Sequence, residues 1–368
     1  MARVTLDKVN KIYPSRHGEV HAVQDLDLAI EDGEFVALLG PSGCGKTSTL
    51  RMIVGLEAIS GGEIAFDGQA VNALTPEERN VAMAFETYAL YPTFTIAQNL
   101  AFPLEVKGVD KSTRDEKVAE VARLLRIESI LESYPRQLSG GQQQRVSLGR
   151  ALIRDPAVFI LDEVMSHLDA HLKFQMLFEL KRIHQQLGRT IVYVTHDQME
   201  ALALADRVAV MSNAKLQQFA DRDTLYDRPA NMFVAGFIGE PPTNFLNATV
   251  VDENNTLQLM IDGSSLVFIP DDTRIEAIRT QNLSKVTLGI RPQNLRLRED
   301  GDDGAITAAI EINEYLGEHS ILSLRDGDKE LRAMVPPTVT ASEGESIELS
   351  YRSRDVMVFH PETEDFVA

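Results

Sequence analysis

The chain has 368 residues, which exceeds one average domain of about 150 residues and predicts two or three domains. Its formal net charge of −19 disfavours nonspecific binding of nucleic acid through a basic surface. The single cysteine, Cys44, cannot form an internal disulfide, which fits a reducing compartment. We expect no signal peptide, because residues 1–13 alternate apolar and polar side chains as a strand does. We expect no transmembrane helix, because no run of about 18 apolar residues occurs.

The first 240 residues alternate between strand and helix patterns. Residues 1–13 alternate apolar and polar side chains, and buried strands are predicted at 35–39, 158–161 and 190–194. Helices are predicted at 47–56, 112–127 with Ser112 as the cap, 142–153 and 170–187. This alternation indicates an α/β domain with a mainly parallel sheet covered by helices.

The pattern changes at Pro241-Pro242, where short strands separated by turn residues begin. The predicted strands are 246–251, 256–261, 266–269, 286–290, 306–312, 320–324 and 346–351. Asp262-Gly263 and Asp326-Gly327 predict hairpin turns. We therefore expect an all-β, barrel-like domain, and it is acidic, since residues 244–368 carry 11 Lys and Arg against 23 Asp and Glu.

A phosphate-binding loop lies between a predicted strand and a predicted helix and fits the pattern G-x-x-x-x-G-K-[ST]. Its residues are Gly40, Pro41, Ser42, Gly43, Cys44, Gly45, Lys46 and Thr47, followed by Ser48. Glycines allow the backbone to wrap a phosphate, and the helix N-terminus adds partial positive charge. Lys46 would place a cation on the β- and γ-phosphates of ATP, and the Thr47 hydroxyl would bind Mg²⁺. The alternative is a chance glycine-rich turn.

Two acidic residues follow the apolar run 158–161. Asp162 at the strand end is predicted to bind Mg²⁺, and Glu163 is predicted to polarise the attacking water as a general base. Taken alone this signal is weak, because acidic residues after a strand are often only a solvated turn.

The segment Leu138-Ser139-Gly140-Gly141-Gln142 places a hydroxyl and free backbone N–H groups at a helix start, which is a second anion site. Its alternative interpretation is a plain serine N-cap after a glycine turn. With this segment the sequence resembles the ABC transporter ATPases, whose signature is LSGGQ. In that family the signature of one subunit closes over the ATP held by another, which implies a head-to-tail pair of ATPase subunits.

Smaller landmarks of the family follow from the same resemblance. Tyr13 matches the aromatic residue that stacks on adenine, although an aromatic residue at a strand end has a structural explanation as well. Ser166-His167-Leu168-Asp169 matches the loop that links the two ATP sites, and it also fits a helix cap. His196 matches the switch histidine that contacts the γ-phosphate, against the alternative of a structural histidine.

The resemblance covers the whole chain and is strongest to the ATPase subunits of carbohydrate importers, similar to that of the maltose system. Three segments carry it: 88–92 in the loop that contacts the membrane subunits, 225–239, and Gly289-Ile290-Arg291-Pro292. It implies a P-loop NTPase domain of the ABC ATPase type at 1–240, with a helical subdomain at about 88–155, and an OB/TOBE-like regulatory domain at 241–368.

The same resemblance implies how the subunit would work. It would bind ATP and Mg²⁺ and sit at the cytoplasmic face of the bacterial inner membrane as a peripheral subunit. Its partners would be a second ATPase subunit, two integral permease subunits and an external solute-binding protein, with no nucleic acid. The group suggests sugars, polyols such as glycerol, or glycerol phosphates as the transported substrate.

Three positions depart from the family pattern. Glu86 stands where the family has a glutamine that gives a neutral oxygen to Mg²⁺, and a carboxylate there can still bind the metal. Val164 replaces a usual proline, and the order Thr47-Ser48 is a mild change. Glu86 leaves open a pairing with a different ATPase subunit or a non-hydrolysing role. A soluble ABC ATPase acting on nucleic acid is the alternative from another class.

Overall fold

The computed structural model describes residues 2–16, 18–85, 87–166, 168–253, 256–263, 267–298, 305–339 and 342–368. The chain divides into two compact units, Met1–Arg222 and Asp223–Ala368. This division lies before the boundary expected at residue 240, because the intervening segment packs within the second unit. Ala235 is buried with Met357 and Phe359, and the Arg291 guanidinium lies 3.7 Å from the centre of the Tyr226 ring.

The first unit combines strands and helices. Its strands are β1 (Val4–Ser15), β2 (Gly18–Ile30), β3 (Phe35–Leu39), β4 (Gly61–Phe66), β5 (Gln69–Ala70), β6 (Val81–Ala84), β7 (Val158–Asp162), β8 (Thr190–Thr195), β9 (Arg207–Ser212) and β10 (Lys215–Ala220). Its helices are α1 (Lys46–Val54), α2 (Ile96–Val106), α3 (Lys111–Leu125), α4 (Gly140–Leu152), α5 (Ala170–Leu187) and α6 (Gln198–Leu204). Helix α7 (Arg222–Asp227) begins at the division.

The central sheet of this unit has the strand order β10-β9-β3-β8-β7-β6. Strands β9, β3, β8, β7 and β6 pair in parallel, and β10 is antiparallel to β9. Every residue of β3 and of β8 is buried, as the continuous apolar runs predict for strands covered on both faces. Since β3, β8 and β7 are neighbours, the segments that follow them meet at one edge of the sheet.

Helices α2, α3 and α4 contribute to a separate hydrophobic cluster that includes Leu100, Val121 and Val146. Helix α3 begins earlier than predicted, and its cap is Asp110 rather than Ser112. The Asp110 carboxylate accepts hydrogen bonds from the Thr113 amide at 3.0 Å and the Ser112 hydroxyl at 2.5 Å. No helix in the described ranges is long and apolar enough to cross a membrane.

The second unit is built on two antiparallel sheets, with strand orders β13-β12-β11-β14-β20 and β15-β19-β16-β17-β18. Its strands are β11 (Asn244–Glu253), β12 (Thr256–Ile261), β13 (Val267–Phe268), β14 (Lys285–Ile290), β15 (Arg296–Leu297), β16 (Ala305–Tyr315), β17 (Ser320–Asp326), β18 (Lys329–Val335), β19 (Ser346–Ser350) and β20 (Val356–Phe359). Helices α8 (Met232–Phe237) and α9 (Asp272–Thr280) accompany them, together with most of α7. The all-β expectation therefore holds for the sheets, and α9 is an addition to it.

Candidate functional site

The predicted phosphate loop leaves β3 at Gly40 and enters α1 at Lys46. A Cβ on Gly40 would lie 2.2 Å from the Met211 carbonyl oxygen, and one on Gly45 would lie 2.3 Å from that of Ala22. Gly45 also has a φ of 107°, which residues with side chains rarely adopt. Glycine is therefore required at both ends of the loop by close packing, in addition to any contact with phosphate.

Lys46 is directed into this loop. Its ammonium donates hydrogen bonds to the carbonyl oxygens of Gly40, at 2.7 Å, and Pro41, at 3.0 Å. The Lys46 side chain is largely buried, whereas Thr47 beside it is exposed. The loop therefore fixes the Lys46 ammonium and exposes Thr47 at the start of a helix, where anions bind favourably.

The other loop residues divide between surface and core. Pro41, Ser42 and Gly43 are exposed, so their backbone is accessible to a ligand. Cys44 is 3% exposed and belongs to the main hydrophobic core, and its Sγ accepts from the Lys46 ammonium at 3.8 Å. The place of Cys44 in the motif predicts a contact with the nucleotide, which stays a prediction, and its side chain also packs the loop against the core.

The acidic residues after β7 and the histidine after β8 meet at the same sheet edge. Glu163 has a left-handed backbone (φ 45°), an uncommon conformation that concentrates at functional sites. Its amide donates to the Val194 carbonyl at 2.9 Å, which fixes it against β8. The Glu163 Oε2 then lies 3.3 Å from His196 Nδ1. Asp162 precedes Glu163 as the last residue of β7 and is partly buried.

Tyr13 lies next to the first turn of α1. Its hydroxyl is 3.2 Å from the Ser48 hydroxyl and donates to the Glu57 carboxylate. Burial, and then the hydrogen bond to Glu57, raise the pKa of the Tyr13 hydroxyl above its ordinary value. The Lys11 ammonium lies 4.7 Å from the ring centre. The ring is therefore held beside the phosphate loop, within the same unit.

The signature segment opens α4. The Ser139 hydroxyl accepts from the Gln142 amide at 3.4 Å, and the Gln142 side-chain oxygen accepts from the Ser139 amide at 3.0 Å. This reciprocal pair is a capping box, so the N-cap interpretation of Ser139 is correct. Ser139 and Gly140 are exposed, and Gly141 is buried against Leu172. The exposed serine and glycine leave this helix start open to a ligand.

Two predicted site residues lie outside the described residues, namely Glu86 and His167. The residue before His167 is held by a hydrogen bond, which the Ser166 hydroxyl donates to the Glu163 carbonyl at 2.9 Å. Asp169 caps α5 by accepting from the Leu172 amide at 2.9 Å. Both the predicted cap and the start of α5 at Ala170 are confirmed.

The residues assigned to magnesium are Thr47 and Asp162, with Glu86 as a third. No group of three or more His, Cys, Asp or Glu side chains in the described part of the chain could hold a metal ion alone. A hydroxyl and a carboxylate are nevertheless the hard oxygen ligands that Mg²⁺ takes together with water and phosphate. The donor set therefore fits a metal whose coordination is completed by a nucleotide.

Two interactions around this site have no local sequence signal. The Gln144 side chain donates to the carbonyl oxygen of Val164, which ties the signature helix to the turn after Glu163. Lys173 on α5 forms ion pairs with Asp197 and Glu200 beside His196. Both join segments that are distant in sequence, so only the folded chain places them together.

This geometry defines a P-loop nucleotide-binding protein, and comparisons with known proteins specify its type. A model described as ABC transporter matches residues 23–166, and one described as TOBE domain matches residues 288–359. The chain is 42% identical to the sulfoquinovosyl glycerol transport ATP-binding protein SmoE of Agrobacterium fabrum, with 99% of each chain covered.

Two further relatives also match over their full length. The trehalose/maltose import ATP-binding protein MalK of Thermococcus litoralis is 42% identical, with 99% of each chain covered. The sn-glycerol-3-phosphate import ATP-binding protein UgpC of Ruegeria sp. is 40% identical, with 100% of each covered. Among solved structures, the ATP-binding cassette MJ0796 bound to ADP and Pi matches with a TM-score of 0.53 and 29% identity, covering 59% of this chain and 98% of that one.

The chain belongs to the ABC transporter ATP-binding proteins. It binds ATP and is the ATPase subunit of an ABC importer, as the resemblance in the sequence implies. The alternative of a soluble ABC ATPase acting on nucleic acid finds no support among these relatives.

Proposed function

We propose that this chain hydrolyses ATP to energise the import of a carbohydrate, a polyol or a glycerol phosphate. The observation that carries the proposal is full-length similarity at about 40% identity to import ATP-binding proteins for these substrate classes. Those relatives are named for sulfoquinovosyl glycerol, for trehalose and maltose, and for sn-glycerol 3-phosphate, and each of these compounds contains a sugar or a glycerol unit.

For hydrolysis, Lys46 binds and neutralises the β- and γ-phosphates. Thr47 and Asp162 would hold Mg²⁺, which would supply positive charge against the negative charge that develops during phosphoryl transfer. Glu163 accepts a proton from the attacking water, and His196, 3.3 Å from that carboxylate, contacts the γ-phosphate. Tyr13, beside Ser48, stacks on the adenine ring.

The signature acts on the nucleotide of a second ATPase subunit. Ser139 and Gly140 are exposed at the N-terminus of α4, where backbone N–H groups and the helix dipole attract phosphate. Two head-to-tail subunits would then enclose two ATP molecules, with Asp169 in the loop linking the sites.

The membrane permease subunits dock at a cleft in the first unit. The cleft has a volume of about 530 Å³, and its lining includes Phe85, Tyr88, Tyr91, Val106 and Arg150. Phe85 is 45% exposed and Val106 is 70% exposed, so the cleft offers apolar surface. Arg150 joins two sides of this cleft, because its guanidinium donates to the Ala89 carbonyl at 2.5 Å and lies 4.7 Å from the centre of the Tyr91 ring. Docking there would place the subunit at the cytoplasmic face of the membrane.

The docking proposal is tested by copurification with the permease subunits. Phe85→Ser combined with Val106→Ser should remove the chain from the detergent-solubilised complex while its ATP binding persists. A matched control is Phe174→Ser combined with Phe178→Ser, which changes two exposed apolar residues on α5 outside the cleft. If the cleft variant copurifies with the permease subunits in the same amount as the unmodified chain, the proposed docking is contradicted.

Substrate and subunit composition are tested by reconstitution. Vesicles that contain the permeases and only this ATPase should accumulate a labelled sugar, polyol or glycerol phosphate when ATP is enclosed and the binding protein is outside. Transport and ATPase activity from that complex would remove the need for a second kind of ATPase subunit. Activity that appears only after a paralogue is added would instead support the heteromeric pair suggested by Glu86. Failure with all three substrate classes, despite ATPase activity, would refute the substrate proposal.

A further inference from the structure

A connected group of polar side chains surrounds the segment that carries His196. Glu200 is 2% exposed, and its Oε2 accepts hydrogen bonds from the Thr195 hydroxyl, at 2.6 Å, and from the Tyr193 hydroxyl. A buried carboxylate is strongly destabilising unless it is paired and hydrogen-bonded. The cation that pairs it is Lys173, whose ammonium lies 2.7 Å from Glu200 Oε1.

Lys173 also binds Asp197, the residue directly after His196. Its ammonium lies 2.7 Å from the Asp197 Oδ2, and its amide donates to the Asp169 carbonyl at 2.9 Å in the first turn of α5. Asp197 in turn caps α6, because its Oδ1 accepts from the Glu200 amide at 3.2 Å. One ammonium therefore joins α5 to two carboxylates that follow His196, and one of them, Glu200, accepts the hydrogen bond from Thr195, which precedes His196.

The structure favours the charged forms of Lys173 and Asp197. Burial acts to lower the pKa of Lys173, but its hydrogen bonds and attraction to Asp197 and Glu200 outweigh burial and raise the pKa. Burial likewise acts to raise the pKa of the Asp197 carboxyl, and the hydrogen bond from Lys173 reverses this. Burial above all raises the pKa of Tyr193 well above its ordinary value, so the phenol stays a donor.

His196 itself depends on this support. Its side chain is 57% exposed, so packing alone does not fix it, yet its Nδ1 lies 3.3 Å from Glu163 Oε2. The residues on either side of it are fixed: Thr195 is buried, and the Asp197 amide donates to the Thr195 hydroxyl at 3.0 Å. The orientation of His196 toward Glu163 therefore follows from the position of its two neighbours.

We propose that Lys173 is a positioning residue for ATP hydrolysis, which holds residues 195–197 so that His196 faces Glu163 and the γ-phosphate. This rests on the proposed roles of Glu163 and His196. Lys173 touches neither the substrate nor those two side chains in this role. It acts through Asp197 and Glu200, and a misplacement of about 1 Å is enough to cost catalysis a factor of about 100.

The test compares three single variants by steady-state ATPase kinetics. Lys173→Met should lower kcat by about 10- to 100-fold with little change in KM for ATP, because ground-state binding at the phosphate loop is intact. Lys173→Arg keeps the charge and should restore most of the rate. Lys181→Met is the matched control: Lys181 is on the same helix and links it to the Leu204 carbonyl at 2.7 Å and to Asp206 at 3.5 Å, away from His196. It should retain kcat.

A double-mutant cycle separates positioning from general stability. In a His196→Ala background, Lys173→Met should produce no further loss of kcat, since its effect passes through His196. An equal fold-loss in both backgrounds, or an unchanged kcat in the single variant, would overturn the proposal. A His196→Ala variant with full activity would instead show that the proposed role of His196 is wrong.

If the Lys173→Met variant unfolds below the assay temperature, the Asp197→Asn variant tests the same claim. Asparagine is also a good helix cap, so this change keeps α6 capped while removing the charge opposite Lys173. It should lower kcat in the otherwise unmodified protein and leave kcat unchanged in the His196→Ala background. Equal losses in the two backgrounds would refute the proposal.

Discussion

Replacement of Arg79 by methionine should destabilise the first unit because Arg79 closes the C-terminal end of α1. The Arg79 side chain is 5% exposed and donates four hydrogen bonds to backbone carbonyls. Two acceptors, Met52 and Ile53, lie in the last turn of the helix whose first turn carries Lys46, at distances of 2.6 and 2.9 Å. A cation at this end of a helix is also favoured by the helix dipole.

The size of the effect follows from these bonds. Hydrogen bonds to a charged group contribute about 1.5–3 kcal/mol each, and neighbouring bonds are not additive, so about 3 kcal/mol is expected for the two in α1. For a unit of this size, that loss lowers the melting temperature by about 6–12 °C. Differential scanning calorimetry would measure it on the transition that ATP shifts upward.

Arg51→Met provides the matched control for this experiment. Arg51 lies on the same helix, its side chain is 52% exposed, and its partner Glu57 is 3.2 Å away. The Glu57 side chain is 19% exposed, but the Arg51 end of the pair is open to solvent, so the pair contributes about 1 kcal/mol. If Arg79→Met lowers the melting temperature no more than Arg51→Met does, the proposed role of Arg79 at the C-terminal end of α1 is wrong.

Two further predictions concern stability. Arg291→Lys should lower the melting temperature of the second unit. The Arg291 guanidinium stacks on Tyr226 and donates to the carbonyls of Ile238, at 2.5 Å, and Tyr226, at 2.6 Å, and lysine cannot make all of these contacts. An unchanged melting temperature would contradict this. Asp110→Asn should destabilise more at pH 7 than at pH 3. Hydrogen bonds from Ser112 and Thr113 hold the pKa of Asp110 below its usual value, so its contribution is full above about pH 4 and is lost as pH falls. Equal shifts of the melting temperature at both pH values would contradict it.

The elements around the phosphate loop could be predicted because their signals are local in sequence. The apolar run 35–39 is β3, and the predicted helix 170–187 is α5, with the same limits in each case. The predicted cap of α3, Ser112, is wrong, because Asp110 and Ser112 are both good caps and lie two residues apart. The carboxylate wins because it accepts from both the Thr113 amide and the Ser112 hydroxyl.

Interactions between distant segments could not be predicted from the sequence. The strand β20 near the end of the chain pairs with β14, and no pattern in either run specifies that partner. Strand β18, Lys329–Val335, buries Leu331, Ala333 and Val335, but Met334 between the last two is also apolar, which interrupts the alternation. In the site, local spacing predicts the motif residues. It does not predict the ion pairs of Lys173, because these require α5 to lie beside the loop that carries His196.

The central claim, that this chain hydrolyses ATP with Glu163 as the base, is tested most directly by single-turnover hydrolysis in Glu163→Gln. The amide has nearly the same shape and cannot take a proton, so ATP binding should persist while the rate falls by at least about 100-fold. Glu120→Gln, an exposed change on α3, should leave both binding and rate unaltered. A Glu163→Gln protein that hydrolyses bound ATP at the rate of the unmodified chain would contradict the account.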